Sequence, residues 1–487
     1  MIEQGAMPGT GDGPEGGVAG AAGTPPRVGQ GGAFPACALE RLLGRPAAAW
    51  AVDDLVDLVA ERGIRLVSLM HVGGDGWLKT LDFAPRDAGH LRDILEGGER
   101  ADGSSLFKGL GIRTGASDIL LRPRLATAFL DPFSPLPTLA VLCGHEGRDG
   151  APLPQSPDTI VRRAAVRARA RAGVELHALG EVEFFLGHRP SDFDIYGADD
   201  LGYHATSPFV FGEGLRRRAL GLLADIGVPV KYGHSEVGYV QAGEAEGWIW
   251  EQHEVELALA PLERAADGVV LAQWVIRNLA RREGMRVSFD PILSRGHAGN
   301  GLHFHVSPAV EGVPRGGRGP DGQLWPQAKW LIGGLVRMGG ALMAFGNRGE
   351  ESFVRLTQAK EAPGSVSWGE FDRRALVRLP VVAATPEGRP VSPPTVEFRL
   401  PDGSAQPHLL LAGLAQAMLA ARSEADLEGL LRATASASRG AAASQGVRVP
   451  RNLREVAVEL ERHRAAFEAD GVFPAAMLDG VLARLKA

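Results

Sequence analysis

Gly180-Glu181-Val182-Glu183-Phe184-Phe185-Leu186 is the stretch that decides the fold. It is short, rich in Val and Phe, and reads as a strand. Side chains alternate across a strand, so Glu181 and Glu183 share one face and Val182 and Phe184 the other. Alone, this is an ordinary solvated strand face. Two later stretches repeat the pattern. In Gly301-Leu302-His303-Phe304-His305-Val306-Ser307, residues His303, His305 and Ser307 share a face opposite Leu302, Phe304 and Val306. In Val396-Glu397-Phe398-Arg399-Leu400, Glu397 and Arg399 lie opposite three apolar residues. The simplest arrangement is one sheet with a packed back and a charged, concave front, and that front is the expected active site.

The chain has 487 residues and a formal net charge of −6. That length buries a large core and divides into two or more domains. The mild negative charge points away from nucleic acid and membrane surfaces. Cys37 and Cys143 are the only cysteines, which gives neither a disulfide framework nor a thiolate metal site. A reducing cytoplasm is the expected compartment. Residues 1–36, rich in Gly, Ala and Pro, have no basic start followed by an apolar run and are expected to form a disordered tail.

Residues 37–150 read as a small α+β domain. Its helix is expected over Val52–Arg62, and its strands over Ile64–Met70, Trp77–Asp82, Asp118–Arg122, Thr127–Asp131 and Thr138–Cys143. Arg100–Phe107 is expected to be a loop. Gly147–Ser156 is a Gly/Pro-rich boundary. Residues 151–487 form the second domain. It opens with a helix that Ser156 can cap and whose first turn suits Pro157. Further helices are expected over Leu262–Arg282, Pro326–Phe345, His408–Arg422, Asn452–Glu468 and Pro474–Leu485, with a strand over Met285–Ile292.

The chemistry-bearing candidates are Glu181, Glu183, Glu236, Glu254, Glu397 and His303, with Arg355, Arg373, Arg378 and Arg399. Five carboxylates and an imidazole in one cavity suit hard divalent cations such as magnesium or manganese, whereas zinc favours more His or Cys. Four arginines beside them suit phosphate and carboxylate groups. Together they point to phosphoryl transfer from a nucleotide. The chain has neither the glycine-lysine phosphate loop of common NTPases nor a dinucleotide fingerprint. Singly, each residue has a plain alternative: Glu236 and Glu254 as surface carboxylates, His305 as a hydrogen-bonded core histidine, Arg373 and Arg378 as surface charges.

Their joint order resembles the glutamine synthetase family, in particular its bacterial type I-like members, over about residues 50–487. Asp102-Gly103-Ser104-Ser105 resembles the family's Asp-Gly-Ser-Ser loop and Glu181-Val182-Glu183-Phe184 its Glu-x-Glu-Phe strand. His234-Ser235-Glu236-Val237 and Gln252-His253-Glu254-Val255 resemble the two halves of its next acidic segment. Asn300–Ser307, Ser352–Leu356, Lys360–Pro363, Arg373–Pro380 and Glu397–Asp402 follow in the same order.

The resemblance implies a small N-terminal β-grasp domain and a larger catalytic domain with a curved antiparallel sheet and flanking helices. It implies two magnesium or manganese ions per site, one on Glu183, Glu236 and Glu254, the other on Glu181, His303 and Glu397. ATP would meet His305, Ser307, Arg373 and Arg378. Gly299 and Arg355 would hold glutamate, with Arg399 near the reacting carboxylate. Asp102, beside Ser105, would bind ammonium, and Glu361 would sit on a flap. The implied assembly is a homo-oligomeric ring with shared sites, and the implied activity is glutamine formation from glutamate, ammonia and ATP.

Departures from the family pattern surround the amino-acid pocket. More residues separate Glu236 from Glu254, Ala298 replaces an Asn, Glu351-Ser352-Phe353 replaces Asn-Ser-Tyr, and Asp372 replaces an Asn. Three other readings stand beside glutamine formation: a γ-glutamyl ligase for an organic amine, a non-catalytic structural relative, and a guanidino-kinase-like phosphotransferase. The complete set of candidate ligands speaks against a purely structural role, and the Asp102 loop against the kinase.

Overall fold

The computed structural model describes residues 37–112, 115, 117–191, 202–241, 246–358, 362–387, 389–436 and 448–487; the expected tail lies outside them. The chain begins with α1 (Ala38–Leu43) and α2 (Val52–Glu61), followed by β1 (Leu66–Val72), β2 (Leu78–Phe83), α3 (Ala88–Gly97), β3 (Glu99–Asp102) and α4 (Gly103–Leu106). Then come β4 (Asp118–Pro123), β5 (Phe129–Leu130) and β6 (Thr138–Glu146). These strands form a six-stranded sheet of order β2-β1-β6-β4-β3, with β5 beside β6. Only the β1–β6 pair is parallel.

After α5 (Pro157–Ala172), the second sheet takes β7 (Glu175–His188), β8 (Val230–Val240), β9 (Ile249–Leu257), β10 (Ala260–Pro261), β11 (Arg286–Ser288), β12 (Leu302–Val310), β13 (Val313–Pro314), β14 (Trp368–Glu370), β15 (Val377–Leu379) and β16 (Val396–Phe398). Its main order is β14-β15-β16-β12-β7-β9-β8, and β7 lies near the middle. The helices between and after these strands are α6 (Glu213–Asp225), α7 (Leu262–Arg282), α8 (Pro326–Gly346), α9 (Glu350–Gln358), α10 (Pro407–Arg422), α11 (Leu427–Thr434), α12 (Leu453–Glu468) and α13 (Ala475–Lys486). The fold is α+β, with a curved, mostly antiparallel main sheet, as expected.

Local sequence explains the frame. α3 starts where the Asp87 carboxylate accepts the His90 N–H at 2.8 Å. α5 has proline in its first turn and ends at Gly173, whose φ of 65° suits a residue without a Cβ. The back of the main sheet is apolar: Val182, Phe184, Leu302, Phe304, Val306 and Phe398 are buried in one continuous core with residues of α7, α8 and α10. A second core gathers Leu55, Leu69, Leu91, Ile94 and Val141 around the small sheet. The larger core also takes in Met70, Phe107, Phe129 and Leu142, so it is on the two sheets that we base the proposed division into residues 37–150 and 151–487.

The structure corrects several local expectations. Arg100–Phe107 is the end of β3 followed by the short helix α4, because Asp102 accepts the Ser104 N–H and starts a helical turn. Ser156 does not cap α5 with its side chain; its hydroxyl bonds His145 Nδ1 at 2.8 Å instead. The strand expected over Met285–Ile292 is confined to Arg286–Ser288, and the one over Thr127–Asp131 to Phe129–Leu130. Arg373 precedes its strand, which begins at Val377. α1, α3, α6, α9 and α11 carried no sequence expectation.

Phe304 is fully buried in the back of the sheet. Phe304→Ala is expected to cost about 3–5 kcal/mol of stability in urea unfolding through lost burial and the cavity left behind. An unchanged midpoint would show that the back face does not hold the sheet.

Candidate active site

The register of β7 builds the site. On one side Glu181 pairs with His303 of β12; on the other it pairs with Glu256 of β9. Glu183 pairs with Glu254, which in turn pairs with His234 of β8. Farther along, His305 pairs with Glu397 of β16, and Glu397 with Arg378 of β15. Adjacent strands thus place these side chains side by side on one face. β8 is irregular between Ser235 and Tyr239, so Glu236 lies in a register shift. Such a bulge re-aims a side chain that regular alternation would fix.

His303 Nδ1 lies 2.8 Å from Glu181, 3.8 Å from Glu183 and 3.9 Å from Glu397. His305 Nε2 is 2.9 Å from the other Glu181 oxygen, and its Nδ1 is 2.9 Å from the Thr395 hydroxyl. Glu397 is clamped by Arg399 at 2.5 Å and Arg378 at 2.9 Å. Glu183 accepts the Gly301 N–H at 2.7 Å. A Cβ on Gly301 would sit 2.5 Å from His303 Nε2, so glycine is what lets β12 pass so close. The cavity in front holds about 440 Å3, and Arg355, Arg373, Gly299 and Ala298 line it with the acidic residues.

The electrostatics divide the carboxylates. Burial works against the charge of Glu181, yet the His305 and His303 rings hold its pKa well below the usual range. Burial and the neighbouring Glu183 charge push Glu236 up to about 8. Burial, with Glu181 and Glu183 beside it, raises Glu254 well above the usual range. Burial opposes the charge on Arg399 too, but the Glu397 carboxylate raises its pKa. Glu256 is buried; Lys231 Nζ meets one of its oxygens at 2.6 Å, and the other has no hydrogen-bond partner.

Three groupings bring ligand atoms within 4.8 Å of one another: Glu181 with His305 and Glu397, Glu236 with His234 and Glu254, and Glu181 with Glu254 and Glu256. Four of the six expected metal ligands, Glu181, Glu236, Glu254 and Glu397, fall in these groupings; Glu183 and His303 do not, and His305, His234 and Glu256 stand in them instead. A crowd of buried carboxylate oxygens, one of them orphaned and two groups with raised pKa, fits hard divalent cations.

Arg355, on α9, donates to the Leu400 carbonyl at 2.9 Å and lies 3.4 Å from His303 Nε2. Ser307 continues the face of His305, and its hydroxyl bonds the Pro394 carbonyl at 3.0 Å. Gly299 gives its carbonyl to Gln252 Nε2 at 3.1 Å. Asp102 and Ser105 are exposed in the small domain, bonded to each other at 2.6 Å, and are not part of the cavity wall. The Ser105 and Ser104 hydroxyls hold Asp102 well below the usual carboxylate range. Glu361 lies outside the described residues.

Glu256 and Tyr232 received no role from the sequence. The Glu254-Val255-Glu256 alternation is the same signal that marked Glu181 and Glu183, and it places both glutamates on the acidic face. Tyr232 carries no such signal, because its place at the cavity depends on the register of β8.

A family model described as the glutamine synthetase catalytic domain matches residues 154–483. A glutamine synthetase of Azospirillum brasilense is 31% identical over 406 residues, covering 76% of this chain and 81% of its own. A 3-hydroxylaminophenol mutase of Cupriavidus pinatubonensis is 30% identical over 409 residues, covering 75% and 81%. A solved Plasmodium falciparum glutamine synthetase superposes with a TM-score of 0.73 at 18% identity, covering 90% of this chain and 95% of that one. The chain belongs to the glutamine synthetase family, and that membership supports a ligase enzyme.

The raised pKa of Glu236 makes a thermal prediction. Between the ordinary value of 4.5 and about 8 the folded carboxyl holds a proton that the unfolded one has released. Stability of the metal-free protein therefore falls as pH rises through that window. A divalent cation at the cluster offsets the charge. Magnesium or manganese is expected to raise the melting temperature more at pH 8 than at pH 5.5, and an equal rise at both would contradict the site.

Proposed function

We propose that the chain is an ATP-dependent carboxylate–amine ligase that joins glutamate and ammonia to form glutamine. The observation that carries this reading is the single face on which Glu181, Glu183, Glu254, His303 and Glu397 meet, with Arg355, Arg373, Arg378 and Arg399 on the same cavity. In our reading Glu183, Glu236 and Glu254 hold one divalent ion, and Glu181, His303 and Glu397 the other. When bound, such ions offset negative charge on the phosphates and on the group in flight.

The chain's own residues do the rest. A γ-carboxylate is a poor electrophile, so one of its oxygens attacks the terminal phosphorus of ATP and ADP departs. Arg373 and Arg378 face the phosphates, and His305 and Ser307 the nucleotide. Arg355 and Gly299 position the amino acid, and Arg399, already anchored to Glu397, faces the reacting carboxylate. The ammonia lone pair then attacks the acyl carbon. The carbon–oxygen bond to phosphate breaks, phosphate leaves, and the nitrogen loses a proton. Asp102, with Ser105, binds ammonium and helps take that proton. Glu361, outside the described residues, is the group we assign to keeping water from the acyl phosphate.

Because Asp102 is exposed in the small domain, we place it in the site of a neighbouring subunit, within a ring-shaped homo-oligomer. No helix among the described residues is long and apolar enough to cross a membrane, and a cytoplasmic enzyme of nitrogen metabolism is the setting this reading implies.

One observation favours a second reading, a γ-glutamyl ligase for an organic amine. Tyr203, 44% exposed, and Tyr232, 45% exposed, stand at the cavity with His204 and His234 between them. Tyr203 stacks on His204 at 4.2 Å between ring centroids. Aromatic faces beside Glu236 and Glu254 attract an organic ammonium group. The similarity to a hydroxylaminophenol mutase supports keeping a substrate larger than ammonia in view.

Phosphate release measured over a panel of acids and amines decides between these readings: ammonia with glutamate should lead the panel, and an organic amine leading it would favour the second. Glu183→Ala and His303→Ala should each lower product formation roughly 100-fold or more without unfolding the chain. Full activity in both would refute the ligand set. Asp102→Ala should raise the ammonium requirement and leave ATP binding unchanged. Co-assembled with Arg355→Ala protomers, it should regain activity; well-formed mixed oligomers that stay inactive would place Asp102 elsewhere.

A further inference from the structure

A second and larger cavity, of about 1230 Å3, opens where β4 and β6 meet the outer face of α5 and the start of α7, and it shares no lining residue with the carboxylate cavity. Its walls are basic. α5 presents Arg162, Arg163, Arg167 and Arg171 to it, and Arg122, Arg124 and Arg264 come from the other walls. Against these seven cations stand four lining carboxylates, Glu146, Asp158, Glu263 and Asp470, and a fifth, Asp267, holds Arg124 from outside the lining, which leaves an excess of two positive charges. His145, also in the wall, adds none, since burial pushes its pKa down to about 3.

The carboxylates are already shared out. Asp158 serves Arg124 at 3.3 Å and Arg162 at 2.9 Å, and Asp470 serves Arg167 at 2.7 Å and Arg171 at 2.8 Å. Glu146 is taken by Arg122 at 2.9 Å. Among the described residues, Arg163 meets only the Gly471 carbonyl at 3.4 Å, and Arg264 only the Gly227 carbonyl at 3.3 Å. Arg124 is fixed by Asp267 at 2.8 Å, while its buried Nε has no partner. Two partly exposed guanidinium groups without carboxylates, and a third with a buried unsatisfied Nε, leave donors at the cavity wall that an anion can take.

We propose that this cavity binds a small polyanion bearing at least two phosphoryl groups, gripped by Arg163 and Arg264. Planar guanidinium forks match phosphate oxygens, and the two guanidinium groups without a carboxylate, on different helices, can each take one phosphoryl group. The cavity has the size of a metabolite site rather than of a nucleic-acid track. A chain of net charge −6 would also repel a long polyanion. Nucleoside triphosphates and inorganic polyphosphate share this chemistry.

The test is calorimetric titration of the full chain with inorganic tripolyphosphate in metal-free buffer. Wild type should bind it, and Arg163→Ala/Arg264→Ala should weaken binding at least tenfold. Arg378→Ala should weaken only a separate phosphate-binding event in the other cavity, so the event lost in Arg163→Ala/Arg264→Ala should persist in it. Asp470→Asn, which frees Arg167 and Arg171, should tighten binding severalfold, a gain that misfolding cannot imitate. Displacement by ATP would support the nucleotide as the occupant, and displacement by longer polyphosphate alone would support the inorganic source. No binding by wild type, a loss that follows Arg378→Ala only, or Asp470→Asn binding no tighter than wild type would each overturn the proposal.

Discussion

Glutamates crowded on one poorly hydrated sheet face repel one another, and the rest of the site answers that repulsion. Two like charges about 4 Å apart cost about 4 kcal/mol at an effective dielectric constant of about 20. A few such pairs rival the roughly 5–15 kcal/mol that hold a domain folded. The protein relieves part of the strain with its own cations. Arg378 and Arg399 neutralise Glu397, and the His303 and His305 rings hydrogen-bond Glu181. At Glu236 burial and the Glu183 charge outweigh the Arg373 guanidinium, and Glu236 and Glu254 are pushed toward their protonated forms. The cluster is thus half-compensated, an arrangement that suits divalent cations.

A half-compensated cluster needs a rigid support. The back of the same strands supplies it, because each acidic residue is flanked along the chain by a buried apolar one: Val182 and Phe184 around Glu183, Leu302 and Phe304 around His303, Val396 and Phe398 around Glu397. Pulling a glutamate away from its neighbours would turn a phenylalanine or valine out of the core. The repulsion is held by hydrophobic burial on the opposite face, which is why the alternation of residue types in these strands carries both fold and site.

That alternation was legible in the sequence, and with it the α+β fold, the main helices and the shared face of Glu181, Glu183, His303 and Glu397. What was not legible depends on contacts between segments far apart in the chain. The register that sets Glu256 against Glu181 belongs to the pairing of β7 with β9. Tyr232 and His234 reach the cavity only because β8 pairs outside β9. Ser156 abandons the helix cap that local pattern assigns it because His145, on β6, offers a closer partner. α9 is short, and its Arg355 was readable as a member of a motif but not as a helical residue. In each case tertiary contact overrode a local preference.

The departures from the family pattern can now be weighed by where their side chains lie. Asp372 accepts the Arg374 N–H at 3.0 Å, as a turn residue does. Glu351 is exposed at the start of α9, whereas its neighbour Ser352 is fully buried. Ala298 is different. It is buried, lines the carboxylate cavity and adjoins Gly299. Where the family pattern has an amide able to donate and accept hydrogen bonds, this chain has a methyl group. A polar group of the acid that relied on that amide would meet an apolar wall here, and an unpaired polar contact in a closed site costs about 1–3 kcal/mol. Selectivity for the acid therefore turns on this position far more than on the other two, while the ligands around Glu181 and Glu183 are untouched by it.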